Sequence, residues 1–390
     1  MIPYGFHHID DDDIQAVVQV LRHGALTQGP AVEAFEQALA EYVGARYAVA
    51  VASGTAGLHL AALAAGVEPG TTLVTSPITF VASANAALYA GGTPEFADID
   101  AATVNISPAA VSEALQRLTN VRAVVPVHFG GLPCDMPPIQ AAAGRAGAAV
   151  IEDAAHALGA TYPDGRRVGC CAHSLMTVFS FHPVKLIAAG EGGLITTNDP
   201  QVYRRLLRLR SHGINKLDDA LLQPELAMTG TTVNPWYYEM QELGFHYRIT
   251  DMQCALATSQ LKKLDRFLAR RRQLAKAYDQ AFAGFRHLRP AQPDRRDDSG
   301  LHLYVARIDF AAAGTTRADL MLALRARGIG SQVHYIPVPE QPLYRARGHR
   351  VSLYPAAEAY YRECLTLPLF YDLSDSQQAQ VIASLQELVG

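Results

Sequence analysis

Between residues 47 and 181 the chain alternates short apolar runs, rich in β-branched residues, with segments long enough for one helix each. The runs are "YAVAVAS" (47–53), "TLVTS" (72–76), "PEFADI" (94–99), "VRAVVPVHF" (121–129), "AAVIED" (148–153) and "MTVFSF" (176–181). Strand-helix alternation of this kind predicts βαβ units and a mostly parallel sheet. Several runs are apolar at successive positions, as strands buried on both faces are. A long helical pattern is expected over 250–282, and the polar stretch "PAQPDRRDDSG" (290–300) opens a smaller α+β unit with strands at "HLYVARIDF" and "GSQVHYI" and helices from Thr316 and Pro355. The expected organisation is an N-terminal arm and helix (1–22), a large domain (23–255), and a connecting helix with a small C-terminal domain (256–390).

Composition narrows the class of function. An apolar share of 49%, a charged share of 18% and a formal net charge of -4 describe a globular chain without the basic stripe of a nucleic-acid or membrane-surface binder. The arginine-rich "RFLARRR" (266–272) reads as the solvated face of a helix, and the acidic "IDDDD" (9–13) as a solvated helix start. Five cysteines lack metal-ligand spacing and read as reduced thiols. With no apolar run long enough to span a bilayer, a cytoplasmic protein is expected.

In open α/β sheets ligands gather where strands end. The first run leads into "SGTAGLHL", where Ser53 and Thr55 carry hydroxyls, Gly54 admits close approach, and a helix start favours a phosphate. An ordinary serine N-cap would look the same. Phe80 follows the second run and could lie against a planar ring, or belong to the core. The fifth run ends in Asp153, with His156 three residues on. Its carboxylate could hold a protonated ring nitrogen or cap a helix. The sixth leads to Ser180, His182 and Lys185. No lysine precedes Lys185 in this arginine-rich chain. An amine, unlike a guanidinium, can lose its proton in an apolar setting and condense with a carbonyl. Phosphate cradle, aromatic face, carboxylate and amine together complement pyridoxal phosphate (PLP). No G-x-G-x-x-G or Walker motif competes with that reading.

The ordered motifs "SGTAGLHLAAL", "TSPITFVASANAAL", "PVHFGG", "IEDAAHALGA", "FSFHPVK", "GEGG", "RSHGI", "ELGFHYRITDMQCALATSQLKKL" and "VHYIPV" resemble the DegT/StrS family of sugar-nucleotide aminotransferases across nearly the whole chain. The resemblance implies an α/β fold of the fold type I PLP-dependent transferases: a large domain with a mostly parallel mixed sheet flanked by helices, plus a smaller α+β C-terminal domain. It implies Lys185 as the catalytic amine and Asp153 as partner of the pyridine nitrogen. Gly54, Thr55 and Ser180 would hold phosphate, Phe80 and His156 would flank the ring, and Tyr4, His334 and Tyr335 would lie near the sugar nucleotide. The wording "IPYG", "LTQGP", "HFGGLPCDM" and "WYYEMQELGF" is most similar to the branch of pseudaminic acid biosynthesis. That branch aminates the C4 ketone of a UDP-linked 4-keto-6-deoxy-N-acetylhexosamine, with L-glutamate as the family's usual donor. A C3 or C4 aminotransferase on a dTDP- or GDP-linked keto sugar, or a PLP-binding regulatory protein without turnover, are the rival readings. Lys185 speaks against relatives that dehydrate sugars with a histidine in its place. The resemblance further implies a homodimer in which His246, standing where relatives commonly have asparagine, reaches the neighbouring chain's phosphate. Ala188 and Ala189 stand where many relatives have threonines.

Overall fold

The computed structural model describes residues 1–216 and 219–390. Its main sheet comprises β1 (Tyr47–Val51), β2 (Thr72–Thr75), β3 (Thr93–Phe96), β4 (Val121–Val125), β5 (Ala149–Asp153), β6 (Met176–Ser180) and β7 (Gly193–Thr197), in the order β1-β7-β6-β5-β4-β2-β3. All run in one direction except β7, which is antiparallel to both β1 and β6. Alternation of side chains explains the two-faced apolar runs. Ala48, Ala50, Val124 and Val150 enter one core, while Val49, Val51, Val125 and Ile151 enter the other.

The first core is covered by α2 (Pro30–Val43), which follows α1 (Asp11–His23) in the chain, and by helices from later in it; α3 (Gly54–Ala64) and α4 (Ala82–Tyr89) cover the second. Next come α5 (Pro108–Arg117) and α6 (Met136–Arg145) on the first face, and α7 (Pro200–Arg210) on the second. Two small hairpin-like pairs follow, β8 (Ile214–Asn215) with β11 (Glu239–Met240), and β9 (Met228–Thr229) with β10 (Thr232–Val233). α8 (Asp251–Leu261) returns to the first core, and α9 (Leu264–Phe282) leads to a three-stranded antiparallel sheet of β12 (Leu288–Pro290), β13 (Tyr304–Ile308) and β14 (Cys364–Leu367). With α10 (Arg317–Ala326), α11 (Pro342–Ala346), α12 (Pro355–Glu363) and α13 (Asp375–Val389) this sheet completes the C-terminal part, where Tyr278, Phe282, Tyr304, Leu324, Leu365 and Leu385 share a core.

Several expectations need correction. The single helix over 250–282 is two helices, broken at Lys262 and Lys263; there the Lys263 amide bonds three residues back to Gln260 at 3.0 Å, and its ammonium pairs with Asp10 and Asp13. No proline or glycine announces that break. The expected strand at 330–336 is absent. Gly330 donates to the Ile2 carbonyl at 2.7 Å, only Gln332 bridges β14, and the chain then turns inward with His334 and Tyr335. β7 was not anticipated because it starts at a glycine, and the reason is contact: a Cβ on Gly193 would lie 2.4 Å from the Ser53 carbonyl oxygen. Within "RFLARRR", Arg271 is buried rather than solvated, and Asp13 of the acidic start is buried too. All five cysteines are free and buried. Among the described residues, no helix is long and apolar enough to cross a membrane.

Candidate active site

Because β1, β5 and β6 run parallel, their carboxyl ends open on one edge of the sheet, and a cleft of about 640 Å³ lies there. Its wall begins with α3. Ser53 caps the helix, its Oγ accepting from the Ala56 amide at 3.1 Å, so the ordinary N-cap reading is correct as far as it goes. The helix start is also pressed against the end of β6: a Cβ on Gly54 would come within 2.9 Å of the Ser180 Cβ. That approach gathers the first-turn amides of α3, the Thr55 side chain and Ser180 along one lining. Unpaired helix-start amides, the helix dipole and hydroxyls form a set suited to an anion.

Asp153 ends β5 on the floor of the cleft. Its Oδ2 accepts from Ser83 Oγ at 2.6 Å and its Oδ1 from the Ala155 amide at 3.1 Å; Ser83 in turn lies 2.7 Å from Thr79 Oγ1. Lys185 sits in a tight turn, its amide donating to the His182 carbonyl at 2.8 Å. Burial pulls its ammonium down to about 8, against the pull of the Asp153 carboxylate in the other direction. A lysine so placed is neutral in about a tenth of molecules at pH 7, far more than an exposed one. Phe80 stands at the rim, 58% exposed, with its ring centroid 6.3 Å from that of Tyr335.

His156 faces the same space from the other side. Its Nε2 lies 3.1 Å from the Tyr335 hydroxyl, and its Nδ1 is buried without a partner among the described residues. Burial first, and then the charge of the nearby Lys185, holds it well below the ordinary histidine range. His334 is brought down to about 3, first by burial and then by Lys185, and its Nδ1 lies 2.8 Å from Thr366 Oγ1. Tyr4 lines the cleft with its ring centroid 5.5 Å from that of His334.

Of the residues named from the sequence, Tyr4, Gly54, Thr55, Phe80, Asp153, His156, Ser180, Lys185, His334 and Tyr335 all line this one cleft. His246 does not. It is exposed, bridges Ser211 in the backbone, and holds its ring tilted against that of His212, with centroids 5.4 Å apart. Ala188 and Ala189 are buried in the protein interior and line no part of the cleft. Sequence reading missed Ser83, which sits unmarked inside "TSPITFVASAN" two residues before Asn85, and His302, whose ring is 4.4 Å from that of His156. Ser83 lies within a quoted motif but carries no signal of its own there, and His302 lies in none; only the fold brings them in. The residues present fit PLP: a carboxylate already oriented by two donors, an amine of lowered basicity, a glycine-walled anion cradle, and a buried imidazole nitrogen left free.

A profile of the DegT/DnrJ/EryC1/StrS aminotransferase family matches residues 7–386. The spore coat polysaccharide biosynthesis protein SpsC of Bacillus subtilis (strain 168) is 40% identical over 392 aligned positions, covering 100% of this chain and 97% of that protein. Among solved structures, Helicobacter pylori PseC, an aminotransferase involved in the biosynthesis of pseudoaminic acid, superposes with a TM-score of 0.88 at 30% identity, over 100% of this chain and 99% of that one. The putative sugar aminotransferase Spr1654 of Streptococcus pneumoniae, in its PMP form, gives 0.89 at 28% identity, over 100% and 99% of the two chains.

Proposed function

The chain belongs to the DegT/DnrJ/EryC1/StrS aminotransferase family, and from that premise we propose that its cleft moves an amino group from L-glutamate to the C4 ketone of a UDP-linked 4-keto-6-deoxy-N-acetylhexosamine. At the coarser level it is a PLP-dependent sugar aminotransferase of that family. The finer reading is supported by the sequence wording it shares with the pseudaminic acid branch and by its likeness to PseC. The single observation that carries a transaminase reading is the convergence of Lys185, Asp153 and the Gly54–Ser180 cradle on one cleft.

When bound, PLP supplies an aldehyde that condenses with amines and a ring that accepts an electron pair. In the proposed arrangement Lys185 Nζ, as neutral amine, would hold that aldehyde, and it is the amine that would move a proton at the α-carbon of the amino donor. Asp153, fixed by Ser83 and Ala155, holds the proton on the ring nitrogen. Thr55, Ser180 and the α3 amides hold the phosphate. Phe80 and His156 would flank the ring and limit its rotation. Tyr4, His334 and Tyr335, which line the same cleft, would face the sugar. His334, held neutral by burial, offers that sugar a hydrogen-bonding group without a charge.

We read the working unit as a cytoplasmic homodimer. The segment after α7 exposes Leu222, Trp236, Tyr238, Met240 and Leu243, each more than half accessible. An apolar aromatic surface of that kind suits a second copy of the chain, and His246 and Arg248 follow it closely in sequence. The deciding experiment is a panel of UDP-, dTDP- and GDP-linked keto sugars with glutamate as donor. Its positions of amination are read by product analysis, and the glutamate half reaction by conversion of the cofactor's visible absorbance. Amination at C3, or preference for a dTDP sugar, would replace the finer reading.

A further inference from the structure

Glu152 precedes Asp153 on β5, so its side chain leaves the opposite face of the sheet, where it is fully buried. Four donors converge on it. His128 Nε2, at 2.8 Å, and the Tyr162 hydroxyl donate to Oε2; Ser174 Oγ, at 2.5 Å, and Thr177 Oγ1, at 3.1 Å, donate to Oε1. The Cys134 amide donates to His128 Nδ1 at 3.1 Å. That nitrogen therefore carries a lone pair, the ring proton sits on Nε2, and the imidazole is neutral. The contact is a hydrogen bond from a neutral ring, not an ion pair. Burial by itself would raise the carboxyl, and the hydrogen bonds from His128, Ser174 and Tyr162 act against that rise.

A buried anion with no cation among its partners is costly to keep. Its partners come from separate stretches of chain: the exit of β4, the loop after β5, and the approach to β6 and β6 itself. Those same stretches carry the floor of the cleft. Glu152 lies opposite Thr177 and Asp153 opposite Val178 in the β5–β6 register, while the His128 amide donates to the Asp153 carbonyl at 3.1 Å.

We propose that Glu152 is a positioning residue of the reaction: a buried anion that fixes the strand ends beneath the cleft and, from behind Asp153, strengthens that carboxylate's hold on the protonated ring nitrogen. The inference rests on the cofactor reading above. Its physical content is twofold: restraint of the Asp153 backbone, and a second negative charge in a poorly screening interior, which raises the proton affinity of whatever Asp153 holds.

The test combines Glu152→Gln with Asp153→Asn in a double-mutant cycle on the full chain, reading the Kd for PLP, the 15N resonance of ring-labelled PLP in the complex, and the melting temperature. Glu152→Gln alone should raise Kd roughly tenfold and move the 15N resonance toward the unprotonated ring. In the Asp153→Asn background it should move neither. A wild-type Kd and 15N resonance in Glu152→Gln, however far its melting temperature falls, would reduce the cluster to core packing and overturn the inference. Equal effects in both backgrounds would overturn it as well. If Glu152→Gln does not fold, Ser174→Ala removes one donor and keeps the residue, and an unchanged 15N resonance there overturns the proposal. Failure of the unsubstituted protein to bind PLP would remove the cofactor reading and this inference together, whereas binding with an indifferent variant removes only the inference.

Discussion

Lys185 is the residue on which chemistry and environment meet most directly. Its amine is brought to about 8 by burial, so the reactive neutral form grows in as pH rises through that value. The sign follows from the charge: burial disfavours the ammonium, and deprotonation relieves the penalty. The rate at which the cofactor-free protein captures PLP covalently should therefore climb through pH 8 and level off above it, as followed by stopped-flow absorbance; Lys185→Arg should abolish capture while leaving the melting profile in place. A rate flat across that window would show that the amine titrates elsewhere. Lys185 was legible in the sequence because lysine is rare here and its neighbours form a motif. Ser83, which orients Asp153, was not, because a serine among small residues carries no signal until folding sets it 2.6 Å from the carboxylate. Gly54 lies between these cases: its place at a strand-helix junction was readable, but the contact with Ser180 that forbids a side chain was not. Gly54→Ala forces two backbone segments apart and should weaken PLP binding roughly tenfold, measured by fluorescence titration of the cofactor-free protein.

At the scale of elements, the six strands named from the sequence between residues 47 and 181 all appear, with ends shifted by a few residues, because burial on both faces leaves a run of successive apolar residues, whereas the strand expected over 330–336 does not form. β7 and the break between α8 and α9 escaped notice because their causes are tertiary. β7 is set by a carbonyl approaching Gly193, and the break accompanies ion pairs from Lys263 to α1. The same limit applies to the segment between α7 and α8, whose aromatic residues were visible in the sequence while their exposure was not. If that surface receives a second copy, Trp236→Asp with Leu243→Asp should shift sedimentation toward the monomer and lower activity with it. Mixing inactive Lys185→Ala chains with His246→Ala chains should restore activity in hybrids if His246 serves the neighbouring site. Unaltered sedimentation in the double variant, or verified hybrids without recovery, would speak for sites that are complete within one chain.

Across the whole molecule, α9 runs from the core beneath the seven-stranded sheet into the core of the three-stranded one, and its buried Arg271 has no carboxylate partner among the described residues. Its Nη1 donates to the carbonyls of Leu301, His302 and Leu369 at 3.2, 3.3 and 3.0 Å, and burial lowers its guanidinium to about 10. Arg271→Met would leave three buried carbonyls short of a donor while removing a buried charge. We expect a net loss of about 2–3 kcal/mol, measured by urea unfolding, and a loss near zero would mean that relief of the charge offsets the lost bonds. The five thiols open a different use of the molecule. Each is buried, and burial is the leading cause pushing each above its ordinary range, Cys364 to about 11 and Cys171 to about 12. A maleimide or nitroxide reagent at neutral pH should pass all of them by. One cysteine engineered on the surface, for example at Ser376, would then be the sole attachment point for a spectroscopic probe. Distances within or between copies could be recorded on a chain that keeps every native thiol.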